Sequence, residues 1–256
     1  NNAPIGVYDS GLGGLTVWRE IRRVLPGESL VYLGDGKNCP YGSRPREEVR
    51  RLAAESVGRL VAGGCKLVVV ACNTATAAAI DFLREKYAAI PIVGMEPAVK
   101  PACLATRTGV VGVLATERSL DGELFRRTAA KYGDGIEVLT LPGRGFVELV
   151  EADREGTSEA GGGGRCGGER VGAGVGVARV VVWTEDAFLR SGRERVVAGR
   201  GGALIDPAAA VARRVVQLLD RDGLRAAPDH RPDYTFLTFA DAAYRKRLEA
   251  KAFEEV

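Results

Sequence analysis

The sequence holds one histidine, His230, in 256 residues. That leaves little material for a His-based metal site or for a nucleophile–histidine triad. Its five cysteines are an odd number at irregular spacings, with no CxxC pair. They argue against a disulfide framework and against a zinc knuckle, and they suit a reducing cytoplasm. No apolar run approaches the roughly 18 residues of a membrane span, and no signal-peptide pattern precedes Pro4-Ile5-Gly6. A dominant charge of one sign is also missing. The net charge is only +3, and basic residues alternate with acidic ones, as where Arg50 and Arg51 follow Glu47 and Glu48. Such mixtures are solvated helix faces, so direct nucleic-acid binding is not expected.

What is present is ordinary globular material: 46% hydrophobic and 27% charged residues, enough for one large domain or two small ones. The most informative stretch runs from Lys66 to Ala79. Leu67-Val68-Val69-Val70-Ala71 is apolar without alternation, the pattern of a parallel strand buried on both faces. Asn73 and Thr74 are expected to cap the alanine-rich helix that follows. Cys72 therefore lies at the carboxyl end of a strand and beside a helix N-terminus, where backbone N–H groups and the helix dipole favour a thiolate. Open α/β sheets bind ligands at that edge. The reading is a reactive thiol, against the alternative of a small buried core cysteine.

Three further strands accompany this one in the first hundred residues: Ile5–Tyr8, Leu30–Asp35 and Ile90–Met95. Trp18, Ile21 and Leu25 recur at helical spacing, and Pro45 opens a helix that runs to Gly63-Gly64. Strand–helix units in this order predict a doubly wound parallel sheet. The loop Asp9-Ser10-Gly11-Leu12-Gly13-Gly14 lacks the GxGxxG spacing, and its aspartate would repel a phosphate. A carboxylate there suits a ligand ammonium group or the handling of a proton; an Asx-turn that only binds its own backbone is the simpler alternative. The pattern restarts after Lys100-Pro101, with a strand Val110–Thr116, a helix from about Ser119 to Tyr132, a strand Glu137–Leu141 and a helical Phe146–Glu151. His230 reads as a solvated loop residue, Tyr234–Phe239 as a strand and Asp241–Glu255 as a terminal helix.

Five motifs, in order, resemble glutamate racemase: Asp9-Ser10-Gly11-Leu12-Gly13-Gly14-Leu15-Thr16-Val17; Pro40-Tyr41-Gly42; Ala71-Cys72-Asn73-Thr74-Ala75; Gly143-Arg144-Gly145-Phe146-Val147-Glu148-Leu149-Val150-Glu151; and Leu204-Ile205-Asp206-Pro207-Ala208. The match covers residues 1–157 and resumes at about 188–216. The resemblance implies two pseudo-symmetric, doubly wound α/β domains, residues 1–97 plus 207–256 and residues 98–206, with D- or L-glutamate in the cleft between them. It implies an enzyme that needs neither cofactor nor metal and makes D-glutamate for peptidoglycan. Some members are also reported to bind DNA gyrase, and a homodimer is a further expectation. By resemblance Cys72 is the acid or base on one face of the substrate, with Asp9 beside it, and Glu151 assists on the other face. Ser10, Pro40, Tyr41, Gly42, Asn73, Thr74 and Thr116 would hold the carboxylates and the amine.

The chemistry explains the need for two faces. Inverting an α-carbon requires removing its proton from one side and returning one to the other, and thiols, titrating near 8.5, can be tuned to either task. The sequence departs from the family at the second thiol. The family's Gly-Cys-Thr-His-Tyr-Pro segment corresponds here to Arg179–Leu189, which has neither cysteine nor histidine. Thr184 takes the cysteine's place and Asp186 the histidine's; a threonine hydroxyl is a poor base at neutral pH. Just upstream, residues 161–176 contain nine glycines where the family has a charged helix. A flexible loop is the literal expectation, and its Cys166 could not preorganise a base. A GC-rich gene read out of frame gives the same mixture of Gly, Arg, Cys, Val and Trp, an origin that resequencing the DNA tests.

Overall fold

The computed structural model describes residues 1–95, 99–142, 151, 179–181 and 204–254. Its elements begin with β1 (Ile5–Asp9), α1 (Leu15–Val24), β2 (Leu30–Gly34), α2 (Arg46–Ala62), β3 (Leu67–Val70), α3 (Asn73–Lys86) and β4 (Ile92–Gly94). Then come α4 (Val99–Ala105), β5 (Val110–Ala115), α5 (Glu117–Leu120), α6 (Glu123–Tyr132) and β6 (Glu137–Pro142). β7 (Arg179–Val181), β8 (Leu204–Ile205), α7 (Ala208–Arg221), β9 (Tyr234–Thr238) and α8 (Ala242–Phe253) complete the described chain. It divides into two compact units, Asn1–Met95 with Ala208–Val256, and Glu96–Pro207.

The first unit carries a five-stranded sheet in the order β4-β3-β1-β2-β9, and every neighbouring pair is parallel. β1 and β3 are buried along their whole length, as their uninterrupted apolar runs require. The second unit carries a four-stranded parallel sheet, β6-β5-β7-β8. Both sheets are wound alike: the first strand of each unit lies inside, its second strand on one side and its third on the other. That reversal makes a switch point beyond the carboxyl ends of β1 and β3, and another beyond β5 and β7. The α/β class and the doubly wound parallel sheet expected from the sequence are observed in each unit.

Three local readings need correction. The pattern does restart after Lys100-Pro101, but both residues lie in a helix the sequence reading did not name, α4, where Pro101 occupies the first turn and its missing N–H costs no helical hydrogen bond. The single helix expected over 119–132 is two, α5 and α6, separated at Asp121-Gly122. His230 is not merely solvated: its Nε2 lies 2.8 Å from Ser29 Oγ, which also accepts the Asp233 N–H at 2.9 Å. That bond fastens the loop before β9 to the start of β2.

β9 and α8 close the first unit. Trp18 of α1 meets Tyr234, Phe236 and Phe253 at ring-centroid distances of 5.4, 5.4 and 5.5 Å. The Arg22 guanidinium covers the same cluster, 4.9 Å from the Phe253 ring. At the amino edge of the sheet, the buried Lys66 ammonium pairs with Glu28 at 2.6 Å. Lys66 also donates to the Asn1 carbonyl, and Glu28 accepts the Ala226 N–H at 2.9 Å. Among the described residues no helix is long and apolar enough to cross a membrane.

Candidate active site

The site grows from the carboxyl ends of β1 and β3. The two strands pair in register up to Tyr8 and Val70, and the Ala71 N–H donates to the Tyr8 carbonyl at 2.7 Å. Asp9-Ser10 and Cys72-Asn73 therefore leave the sheet side by side at the switch point. Cys72 is itself the N-cap of α3, in extended conformation, and its sulfur accepts the Ala75 N–H at 3.4 Å. The sequence placed the cap one or two residues later, at Asn73 and Thr74; both instead begin the helix and are buried. A thiolate here would meet an N–H donor and the positive end of the α3 dipole.

Ser10 Oγ lies 3.4 Å from the same sulfur. Asp9 is 0% exposed. Its Oδ2 accepts the N–H groups of Gly11 at 3.0 Å and Gly14 at 3.1 Å, which is the Asx-turn anticipated from sequence. Among the described residues its Oδ1 finds no hydrogen-bond partner. Burial raises the Asp9 carboxyl above the ordinary carboxylate range, and the Gly14, Gly11 and Ser10 N–H groups with the Cys72 thiol only pull it partly back. Asn73, 7% exposed, carries a second such atom: its Nδ2 is buried and has no hydrogen-bond partner among the described residues. An acceptor on Asp9, at the end of β1, and a donor on Asn73, next to Cys72, thus have no hydrogen-bond partner among the described residues. Buried polar atoms left in that state call for a ligand or ordered water.

The remaining expected residues fall in different surroundings. Tyr41 is buried, and its hydroxyl is already committed: it donates to Asp35 Oδ2 at 2.6 Å and accepts from the Tyr8 hydroxyl at 3.0 Å. Burial, then Tyr8 and Asp35, push the Tyr41 phenol far above its usual range. Pro40 and Gly42 on either side are half-buried, and the Cys39–Pro40 peptide is cis. Thr116 lies in the second unit beyond β5, where its Oγ1 is 2.9 Å from Ser119 Oγ and accepts the Ser119 N–H at 3.3 Å. Glu151 is helical and half-buried. Thr184, Asp186, Cys166 and the glycine-rich stretch lie outside the described residues. Among those described, no three His, Cys, Asp or Glu side chains gather as a metal site, and the four cysteines there are in no disulfide.

Sequence reading missed two residues. Thr76, one turn into α3, donates from Oγ1 to the Val70 carbonyl at 3.2 Å and accepts the Met95 N–H at 3.1 Å, stitching the ends of β3 and β4 to the helix. Asp35, fully buried just past β2, bonds through its N–H to the Asp9 carbonyl at 3.0 Å. Its position after a strand, like that of Asp9, was the available signal.

A thiol beside a buried carboxyl group at the switch point of a doubly wound sheet defines an α/β protein equipped to move a proton next to a polar ligand. The chain belongs to the Asp/Glu/hydantoin racemase family, whose sequence profile matches residues 11–169. It is 45% identical over 221 residues to a glutamate racemase of Roseiflexus sp., covering 86% of this chain and 81% of that one. The crystal structure of glutamate racemase isoform RacE1 from Bacillus anthracis superposes with a TM-score of 0.87 at 29% identity, over 97% of this chain and 93% of that chain. Glutamate racemase from Francisella tularensis, solved in complex with D-glutamate, gives a TM-score of 0.84 at 25% identity, over 100% and 95% of the two chains.

Proposed function

We propose that this chain interconverts L- and D-glutamate without a cofactor, by proton transfer at Cα, and so supplies D-glutamate for peptidoglycan. The observation that carries the reading is the Cys72 sulfur, seated on the N-terminus of α3 within 3.4 Å of the Ser10 hydroxyl and the Ala75 N–H. Substrate identity is carried over from the relatives' names and from the D-glutamate complex.

In this mechanism the Cys72 thiolate takes the α-proton: an S–H bond forms, the Cα–H bond breaks, and the electron pair delocalises into the α-carboxylate. The Ala75 N–H and the Ser10 hydroxyl stabilise charge on sulfur before the transfer. Asp9, biased by burial toward its neutral form, exchanges a proton with the thiol or meets the substrate ammonium through Oδ1. Asn73 Nδ2 supplies a donor for a substrate carboxylate. Thr74, Pro40 and Gly42 complete this side, with the backbone of Tyr41 in place of its committed hydroxyl. Thr116 is assigned a further substrate hydrogen bond by the family resemblance alone. A proton then returns to the opposite face, a role assigned to Thr184 with Glu151.

The missing second cysteine favours one other reading, exchange of the α-proton on a single face by Cys72 alone. Circular-dichroism decay of each glutamate enantiomer, with α-proton exchange in D2O, separates the two. Racemisation of both enantiomers, abolished in Cys72→Ala, is expected. Exchange from one enantiomer without racemisation replaces the proposal with the one-face reading. Glutamate binding with neither reaction overturns both and makes inhibition of gyrase supercoiling the activity to measure.

A further inference from the structure

Asp35 is a fully buried carboxyl group that the mechanism above does not use. It only accepts: Tyr41 donates to Oδ2 at 2.6 Å, and Asn38 Nδ2 donates to Oδ1 at 2.9 Å and to Oδ2 at 3.0 Å. All three bonds are accepted by the carboxylate oxygens. This fixes the direction of everything attached to it. With the Tyr41 hydrogen committed to Asp35, the Tyr41 oxygen has only lone pairs left, so the Tyr8 hydroxyl must be the donor in the 3.0 Å bond between them. The Tyr8 hydrogen is then committed in turn, and its oxygen has only lone pairs to offer. Tyr8, Tyr41 and Cys72 lie in one buried cluster.

We propose that Asp35, acting through Tyr41 and Tyr8, is a positioning residue for Cys72: it locks a buried hydrogen-bonded chain so that acceptors and negative charge, not O–H donors, face the sulfur from the β2 side. The inference deepens the racemase reading and rests on it for its catalytic meaning. Its effect opposes that of the Ala75 N–H and Ser10, which favour charge on sulfur. A group that must both take and return a proton works best when neither form is strongly preferred, and two opposed sets of neighbours achieve that. The same juxtaposition is felt by Tyr8, whose phenol is raised by burial first and then by Cys72, Asp35 and Asp9.

Among the described residues, Asp9 bears directly on the Cys72 thiol, and Cys72, Asp35 and Asp9 all act on the Tyr8 phenol, which Tyr41 bonds. The charged residues of α3 itself, Asp81, Arg84, Glu85 and Lys86, are exposed on its later turns. Arg44, next to Tyr41, is paired with Glu48 at 2.5 Å.

The test reads the ultraviolet absorbance of the Cys72 thiolate against pH, as the difference from Cys72→Ser so that other thiols and tyrosines cancel. It is made in the full chain and in Asp35→Asn and Tyr41→Phe. Asp9 is unchanged throughout, so a difference between proteins reports the chain alone. Asp35→Asn removes the charge and keeps an acceptor; Tyr41→Phe cuts the chain and releases the Tyr8 hydroxyl hydrogen from it. Both are expected to lower the midpoint by roughly one pH unit, the scale of one nearby charge. The acid limb of kcat/KM should move by the same amount, while KM changes little. Tyr87→Phe, which removes a tyrosine hydroxyl bound to the Ala54 carbonyl at 3.0 Å, serves as control and leaves the midpoint in place. A midpoint unmoved in a folded Asp35→Asn or Tyr41→Phe overturns the inference. Tyr41→Phe decides alone if Asp35→Asn does not fold. Because the absorbance needs no turnover, a chain that shows the shift but does not racemise glutamate sinks the functional reading and not this one.

Discussion

Asp9 holds two glycine N–H groups with one carboxyl oxygen and leaves the other without a partner among the described residues, an arrangement that burial makes costly when the group is charged. Its folded pKa lies above the ordinary value, so the folded chain binds its proton more tightly than the unfolded chain does. The contribution to stability is therefore most favourable below the ordinary carboxylate range and is lost as pH rises through the elevated value. Asp9→Asn is expected to raise the melting temperature at neutral pH while abolishing turnover, and the gain should shrink on acidification. Thermal melts across the acid range check it, and a variant less stable than the parent at neutral pH counts against the assignment. Gly14 answers to the same carboxyl group. A Cβ there would sit 2.6 Å from Asp9 Cβ and 3.0 Å from Ala71 Cβ. Gly14→Ala should cost about 1–3 kcal/mol of unfolding free energy, and activity should fall with it as Asp9 is displaced. Denaturant titration and the racemase assay on the same sample read both.

Helices and strands explain why part of this was legible in the sequence and part was not. Parallel strands buried on both faces announce themselves as apolar runs, so β1, β2, β3 and β5 could be read directly, and with them the edge where Asp9 and Cys72 emerge. α4 was not read because it is only seven residues long and carries Pro101, although a first helical turn has no use for that N–H. The functions of Asp35 and Thr76 were hidden for another reason: their partners come from different segments, and no local pattern records a tertiary hydrogen bond. Thr76 shows the energetic weight of such a bond. In Thr76→Val the buried Val70 carbonyl and Met95 N–H both lose a partner, and the expected loss is about 1–3 kcal/mol per buried group left unsatisfied. Urea unfolding of Thr76→Val against Thr76→Ser, which keeps the hydroxyl, isolates that contribution.

At the scale of the molecule, the first unit is assembled from the two ends of the described chain. Its amino edge is held by the Lys66–Glu28 pair, with side chains only 2% and 4% exposed. Lys66→Met leaves a buried carboxylate without its counter-charge and should cost about 3–5 kcal/mol, whereas adding Glu28→Gln to it should restore much of the loss. A double-mutant cycle by denaturant unfolding measures the coupling. The sheet at the other scale of distance has a similar dependence: β2 pairs with β9 in register from Leu30–Tyr234 to Gly34–Thr238, across the whole of the second unit in sequence. During synthesis, β2 therefore waits beside an unpaired margin until the ribosome has released the last strand. For that interval Leu30–Gly34 is a template any other nascent β-segment could occupy. Docking of β9 covers that margin and leaves as the free edge only a five-residue strand, against which α8 packs.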